Sequence, residues 1–430
     1  MDKLKNHLIG CDECGLITNV PLLSQAQTAQ CPRCGHTLTQ TPQKPYQTAV
    51  ALTISCLILL VLSLTFPFMS FSVQGMTQEI TLLNAAKMLG EFQNVLLAIL
   101  LFTTVILFPA LYITILLFVS FKAAQSTQRQ LSSSEIQRAK LLCKTLLTVQ
   151  PWLMVDVFLI GVLVSLIKIA SLAEVAMGYS FWAFCFFAML VVKTVSLVDR
   201  YWLWQHFIPA QTPQGVNAGQ THCTHNSVSC HTCQQINLLR PDQKKPTCLR
   251  CGSRLHAYHP QLNLQWAWAL LLAAIIFYIP ANLYPMMYTV SLGKSEGSTI
   301  MQGVILLWHI GSYPVAMVIF LASIFIPMAK MFALGWLYWQ AGKLNVFPEQ
   351  QNLKRLKVYR VTEFIGRWSM IDIFVVAILV SLVQLHNLMA IYPGPAALSF
   401  AAVVILTMLS AMVFDSRILW QEPPVSHQQQ

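Results

Sequence analysis

Pro151-Trp152-Leu153-Met154-Val155-Asp156-Val157-Phe158 and Arg367-Trp368-Ser369-Met370-Ile371-Asp372-Ile373-Phe374 carry Trp, Met, Asp and Phe at the same four places, 216 residues apart. At the same offset Ser165-Leu166 match Ser381-Leu382, and Asp199 and Trp204 match Asp415 and Trp420. Upstream, Phe66-Pro67 match Tyr284-Pro285 and Pro109 matches Pro327 at an offset of 218, and Cys11 matches Cys230 at 219. Small drifts of this kind are what loop insertions leave in a duplicated unit. The chain therefore reads as one unit present twice.

What the unit is follows from hydropathy. Of 430 residues 56% are hydrophobic and only 10% charged, where a soluble domain carries about 25% charged residues. The mean hydropathy is +0.58. Spans of about 20 apolar residues are expected near Ala49–Phe71, Val95–Phe121, Trp152–Leu172, Ala176–Val198, Leu264–Met287, Tyr313–Trp339, Ser369–Leu388 and Ala396–Phe414. The last two divide at Gln384, His386, Asn387 and the turn Pro393-Gly394-Pro395. Met1–Gly10 is polar and no apolar run precedes residue 49, so the first span is expected to serve as the insertion signal.

Eight spans place both termini on one side. Basic residues choose it: Lys122, Arg129, Arg138, Lys140 and Lys144 fill one loop, and Lys343, Lys354, Arg355, Lys357, Arg360 and Arg367 another. The opposite loops hold Lys87 and Lys294. Positive residues stay inside, so termini, cysteine modules and basic loops are expected in the cytoplasm. The net charge of +11 is thus a topology signal rather than a nucleic-acid footprint, because no basic stripe is interleaved with aromatics.

Each unit opens with cysteines: Cys11, Cys14, Cys31 and Cys34 in the first, and Cys230, Cys233, Cys248 and Cys251 in the second. Two CxxC turns about 15–20 residues apart aim four sulfurs at one point, the pattern of a structural zinc site. Two zinc ions per chain are expected. Iron in a rubredoxin-like site is the alternative, since Cys31-Pro32-Arg33-Cys34-Gly35 is also a rubredoxin-style knuckle; thiol redox chemistry is a third reading. His222, Cys223, His225 and His231 crowd the second module but have no counterpart in the first, and read as bystanders. Cys56, Cys143 and Cys185 read as small packing residues.

The expected architecture is thus an all-α polytopic membrane protein of two tandem four-helix repeats, each preceded by a small zinc-ribbon or rubredoxin-like module. The divisions are 1–45 and 206–262 for the modules, 46–205 and 263–420 for the membrane units, and 421–430 for a polar tail.

Ionisable residues in lipid are costly and mark function or pairing. Asp156 and Asp372 lie at equivalent places early in the third and seventh spans, and Lys330 lies within the sixth. Ser323 shares a helix face with Lys330, Ser369 shares one with Asp372, and Thr407 lies in the last span. Asp156, Ser323, Lys330, Ser369, Asp372 and Thr407 are the candidates for a proton or substrate relay. The plain alternative is structural: Asp372 pairs with Arg367 and Lys330 snorkels to the interface. In the first unit Lys168 accompanies Asp156, and Tyr112 stands where the second has Lys330.

There is no G-x4-G-K-[ST], H-E-x-x-H, G-x-S-x-G or c-type haem signature. No ATPase or enzymatic chemistry is expected.

Several longer segments carry a resemblance: Ile279-Pro280-Ala281-Asn282-Leu283 with Pro285, Gly311-Ser312-Tyr313-Pro314-Val315-Ala316, Gly366-Arg367-Trp368-Ser369-Met370-Ile371-Asp372, and Phe414-Asp415-Ser416-Arg417. With the doubled cysteine modules, the chain resembles the paraquat-inducible protein A (PqiA) family, which includes LetA, and its second half is closer to the PqiA branch. The first half is more diverged, with Pro151 where the second has Arg367. The resemblance implies an inner-membrane protein of Gram-negative bacteria. It implies partnership with an MCE-domain protein resembling PqiB that spans the periplasm, and with an outer-membrane lipoprotein resembling PqiC. The implied activity is movement of membrane lipids or other hydrophobic molecules between the membranes. A membrane redox protein using the CxxC sites and a pure assembly anchor for the MCE partner are the competing readings.

Overall fold

The computed structural model describes residues 7–21, 23–24, 26–41, 45–73, 76–84, 87, 95–126, 132–170, 174–211, 213, 215–221, 227–239, 246–255, 259–291, 294–311, 313–343, 348–368, 370–382, 384–385 and 389–420. The chain opens with two antiparallel hairpins, β1 (His7–Gly10) with β2 (Ile17–Val20) and β3 (Thr28–Gln30) with β4 (Thr37–Gln40). Helix α1 (Pro45–Thr65) leaves this module and ends before Pro67. It leads into β5 (Met69–Val73) and β6 (Met76–Ile80) at the far end of the bundle. Helix α2 (95–126) returns, and α3 (Ser133–Val149) is capped by Ser132 and Glu135. Then come α4 (Val155–Ala170), β7 (Glu174–Met177), α5 (Tyr179–Leu197) and α6 (Arg200–Phe207).

The second half follows the same order. A short hairpin of β8 (Ser227–Ser229) and β9 (Ile236–Leu238) precedes α7 (Pro260–Leu283), β10 (Met287–Ser291) and β11 (Lys294–Ser298). Next are the short apolar helix α8 (Ile300–His309), α9 (313–342), α10 (Glu349–Trp368) and α11 (Ile371–Leu382). The described chain ends with β12 (Gln384–Leu385), β13 (Met389–Pro393), α12 (Pro395–Val413) and a 3-10 turn, Ser416–Trp420.

Seven helices among the described residues are long and apolar enough to cross a membrane. Eight spans were expected. The difference lies at Ser369–Leu388: α11 has 12 residues, about 18 Å of helix against about 30 Å of hydrocarbon. Beyond it the backbone enters strand pairing, while Ser369 and residues 383 and 386–388 lie outside the described residues. The protein is mostly helical but not purely so. At the far end, β6-β5-β7 form one sheet and β11-β10-β13-β12 another. The spans expected to reach Phe71 and to begin at Ala176 give way to these strands. Pro67 removes a backbone donor, and the peptide groups released from the helices must find other partners.

Each sheet is closed by a glycine. A Cβ on Gly178 would sit 2.0 Å from the Pro67 carbonyl oxygen, and one on Gly394 would sit 2.0 Å from that of Pro285. The Gly178 N–H donates to Phe68 O at 3.1 Å and the Gly394 N–H to Met286 O at 2.8 Å. Both long returning helices also widen at matching places, into π-turns at Phe102–Leu107 and Leu321–Phe325. Phe108 N–H reaches Thr103 O and Ile326 N–H reaches Leu321 O, five residues back. The cause is the proline that follows, Pro109 or Pro327, whose ring cannot coexist with a tight i−4 carbonyl.

The halves form one bundle rather than two. Phe158 of α4 meets its counterpart Phe374 of α11 edge-on, centroids 5.5 Å apart. Gly161 lets the helices close: a Cβ there would lie 3.0 Å from Phe374 Cβ. Ser165 Oγ bonds Gly161 O at 2.8 Å and approaches Val375 O at 3.5 Å. The buried core runs through this contact.

Candidate metal centres and the polar site between the helices

Each cysteine pair sits on a tight knuckle. Cys11 N–H bonds Leu16 O, Cys31 N–H bonds His36 O, Cys230 N–H bonds Gln235 O and Cys248 N–H bonds Ser253 O, all at 2.8–2.9 Å. The residue after the second cysteine turns left-handed: Gly15 (φ 76°), Gly35 (70°), Gln234 (57°) and Gly252 (71°). Glycine adopts this conformation freely; Gln234 does so with its side chain tied to Asp12 Oδ2 of the first module at 3.2 Å.

These turns bring the four sulfurs of each module within 4.8 Å of one another. Sγ atoms are 3.5 Å apart in Cys11–Cys34, Cys14–Cys31, Cys230–Cys251 and Cys233–Cys248. A tetrahedral ion with metal–sulfur bonds of about 2.3 Å needs edges of about 3.8 Å, whereas a disulfide needs about 2.05 Å. The donor set therefore fits a closed four-thiolate metal centre. In both modules the mutual contacts of the sulfurs push the thiols of the first pair up and pull those of the second pair down. A divalent cation would hold all four as thiolates. Asn237 Nδ2 donates to Cys248 Sγ at 3.5 Å, a contact that favours the thiolate.

Guanidinium groups lie beside both clusters. Arg360 Nη2 donates to Cys34 O at 3.1 Å, and Arg250 Nη1 donates to Cys233 O at 3.0 Å. Arg33 and Arg250 hold the same place in the two knuckles, and each lies over an aromatic ring. Arg33 is 4.4 Å from the Trp420 centroid and Arg250 5.5 Å from that of Tyr201. Sequence reasoning missed both, although Cys-x-Arg-Cys-Gly occurs twice. The modules also touch each other, with Ile17 N–H on Gln220 O and Gly219 N–H on Ile17 O, both at 2.8 Å. His231 is exposed and outside the sulfur cluster; His222, Cys223 and His225 lie outside the described residues.

Between the helices the structure unites part of the expected relay. Lys330 of α9 is buried, and its Nζ donates to Thr407 Oγ1 of α12 at 3.0 Å. The lysine therefore does not snorkel to the interface. Thr407 Oγ1 in turn donates to Val404 O at 3.0 Å. Gly366, near the end of α10, leaves room for this ammonium: a Cβ there would be 3.0 Å from Nζ. Ser323 is buried in the π-turn. Its carbonyl, four residues before Pro327, has no N–H there to accept. Asp156 lies half-buried in the first turn of α4. Asp372 occupies the matching place on α11, but its side chain and that of Arg367, like all of Ser369, lie outside the described residues. Lys168 is a helical position whose side chain is likewise outside them. One polar pair was not foreseen: Tyr338 Oη and Ser410 Oγ are 2.8 Å apart, with Ser410 donating to Ala267 O.

Comparison with known proteins accords with this arrangement. The sequence profile of the family described as "Paraquat-inducible protein A" matches twice, over residues 46–208 and 264–423. The chain is 40% identical over 425 residues, 98% of its length and 97% of the relative's, to "Intermembrane transport protein PqiA" of Escherichia coli strain K12. It is 31% identical over 417 residues, 96% of each chain, to "Probable intermembrane transport protein" of Haemophilus influenzae. It is 27% identical over 414 residues, 95% of its length and 90% of the relative's, to "Lipophilic envelope-spanning tunnel protein A" of E. coli K12. No solved structure is a significant match. The chain belongs to the paraquat-inducible protein A family.

Proposed function

We propose that this protein is the inner-membrane component of an MCE-type system that moves lipid or another hydrophobic molecule between the membranes of a Gram-negative envelope. The observation that carries the reading is the match over 98% of the chain to a protein named for intermembrane transport. The proposed partners are a periplasm-spanning MCE protein like PqiB and an outer-membrane lipoprotein like PqiC. No ATP hydrolysis or other catalysis is assigned to the chain.

In this reading the chain is two tandem units related by a pseudo-two-fold axis along the membrane normal, with eight spans, the eighth including α11. Termini and cysteine modules face the cytoplasm, with divisions at 1–45, 46–205, 206–262, 263–420 and 421–430. The paired sheets, paired closing glycines and paired π-turns support the duplication. Zinc, one ion per module, is the proposed metal. Closed four-sulfur sites with all but Cys251 buried suit a structural role better than electron transfer, which the redox reading requires.

The working site is the group Ser323, Lys330, Ser369, Asp372 and Thr407, with Asp156 as its lesser counterpart in the first unit. A buried ammonium whose described partner is one hydroxyl is not neutralised, and loss of its proton, an Asp372 carboxylate or a lipid phosphate would neutralise it. The test is transfer of a fluorescent phospholipid from proteoliposomes holding this protein and its MCE partner to acceptor vesicles. Lys330→Met and Asp372→Asn are expected to lower transfer by at least tenfold, about 1.4 kcal/mol, while partner binding and metal content stay normal. Unchanged transfer would leave only the anchor reading.

A further inference from the structure

The two cysteine modules are not attached to the bundle in the same way. In the first, Glu13 lies between Cys11 and Cys14 and faces Arg360, in the middle of α10. Arg360 Nε donates to both Glu13 carboxylate oxygens at 3.1 Å, and Nη2 also donates to the same carboxylate. Nη2 bonds Cys34 O as well, so one guanidinium spans both knuckles. His36 Nδ1 lies 3.2 Å from Glu13 Oε1, and Ser416 Oγ donates to Glu13 O at 3.1 Å. Nearer the start of α10, Arg33 pairs with Glu349 at 3.6 Å while stacking on Trp420. Every one of these partners lies in the second half of the chain or in the first module itself.

Among the described residues the second module holds no such pair. Thr232 stands where the first has Glu13, and Lys144 stands on α3 where α10 has Arg360. Its attachment is Arg250, which donates to Ile208 O at 2.8 Å and Gln205 Oε1 at 3.1 Å beside α6. The first module therefore grips α10, while Gln40 also ties it to Asp199 and Ser196 just before α6; the second grips α6.

Helix α10 has a second contact of consequence. Six residues after Arg360 comes Gly366, whose missing side chain makes room for the Lys330 ammonium. A rigid helix pinned at Glu349 and Arg360 fixes where Gly366 lies. We infer that the first cysteine module, and not the second, is a latch: its folded, metal-holding knuckles pin α10 through Glu13–Arg360 and thereby set the space around Lys330. Loss of metal from the first module would release Glu13, Arg33 and the Cys34 carbonyl together. The inference stands on these contacts whether or not lipid is the cargo.

The test is hydrogen–deuterium exchange of the full-length protein in detergent, with metal content measured on each sample. Glu13→Gln is expected to speed exchange across Glu349–Trp368 about tenfold with both metal ions retained. The double variant C11S/C14S is expected to do at least as much. C230S/C233S is expected to loosen Arg200–Phe207 and leave α10 unchanged. Should the cysteine variants fail to fold, charge reversal decides: Glu13→Arg should loosen α10, and adding Arg360→Glu should restore its protection. The inference is overturned if α10 exchanges normally in Glu13→Gln, if C230S/C233S loosens it equally, or if the reversed pair restores nothing.

Discussion

The first half of the molecule and the second share a scaffold and differ in polar chemistry. Both carry a four-sulfur module, a π-turn before a proline, a sheet closed by a glycine against a carbonyl, and a buried tryptophan near the end, Trp204 or Trp420. Yet where the second half has Lys330, Thr407 and Gly366, the first has Tyr112, Val191 and Gln150. Tyr112 is fully buried and its hydroxyl has no partner among the described residues, whereas Lys330 is held by Thr407. Backbone devices that build the bundle recur in both halves. Among the described residues the buried Lys330–Thr407 pair lies in the second half, and the Glu13–Arg360 grip is on the helix beside it.

The largest effect should come from what the halves share. Cys14→Ser and Cys233→Ser should each remove one metal ion per chain and unfold one module, because such ions contribute on the order of 10 kcal/mol to the fold they close. Elemental mass spectrometry against protein concentration checks this. If one variant kept both ions, the modules would not be equivalent metal sites. Next come the closing glycines. Gly178→Ala and Gly394→Ala each force a Cβ onto a carbonyl oxygen, at an expected cost above about 3 kcal/mol, read as a similar drop in thermal midpoint for both. A tolerated alanine at either position would break the match between the sheets.

A smaller pair of substitutions probes the difference itself. Tyr112→Phe removes an unsatisfied hydroxyl and should stabilise the protein by about 1 kcal/mol without affecting lipid transfer. Lys330→Met removes the ammonium from Thr407 Oγ1, which keeps its bond to Val404 O, and should change stability by no more than about 1 kcal/mol while transfer is lost. Equal transfer by the two variants would dissolve the functional asymmetry. The smallest effect belongs to the knuckles. Gly252→Ala places a Cβ in a left-handed turn with open space around it, so only the conformational cost of about 1 kcal/mol applies. Gln234→Gly relieves a similar cost and gives up the Asp12 contact. The two should shift the thermal midpoint in opposite directions.

Much of this was legible in sequence because it is local. A long apolar run is helical wherever it lies in lipid, so most spans were found to within a few residues. Cysteines two residues apart on a tight turn converge whatever surrounds them, so the membership of both sulfur clusters was readable. The π-turns before Pro109 and Pro327 were not read, although both prolines stand at matching places in the sequence.

Other features needed the folded chain because they join residues distant in sequence. The strands Met69–Val73 and Met287–Ser291 look like span ends until β7 and β13 pair with them from 100 or so residues away. Gly161 and Phe374 are ordinary apolar positions until α4 and α11 cross. That Lys330 would meet Thr407, and that Glu13 would meet Arg360 across 347 positions, depends on how two halves pack. The sequence by itself determined most of the helices that are long and apolar enough to cross a membrane, and which sulfurs gather, through hydrophobic length and turn geometry. The tertiary structure alone decided which half holds the buried cation's partners and which module grips the helix beside it, because ion pairs and close approaches follow from three-dimensional proximity that no local pattern encodes.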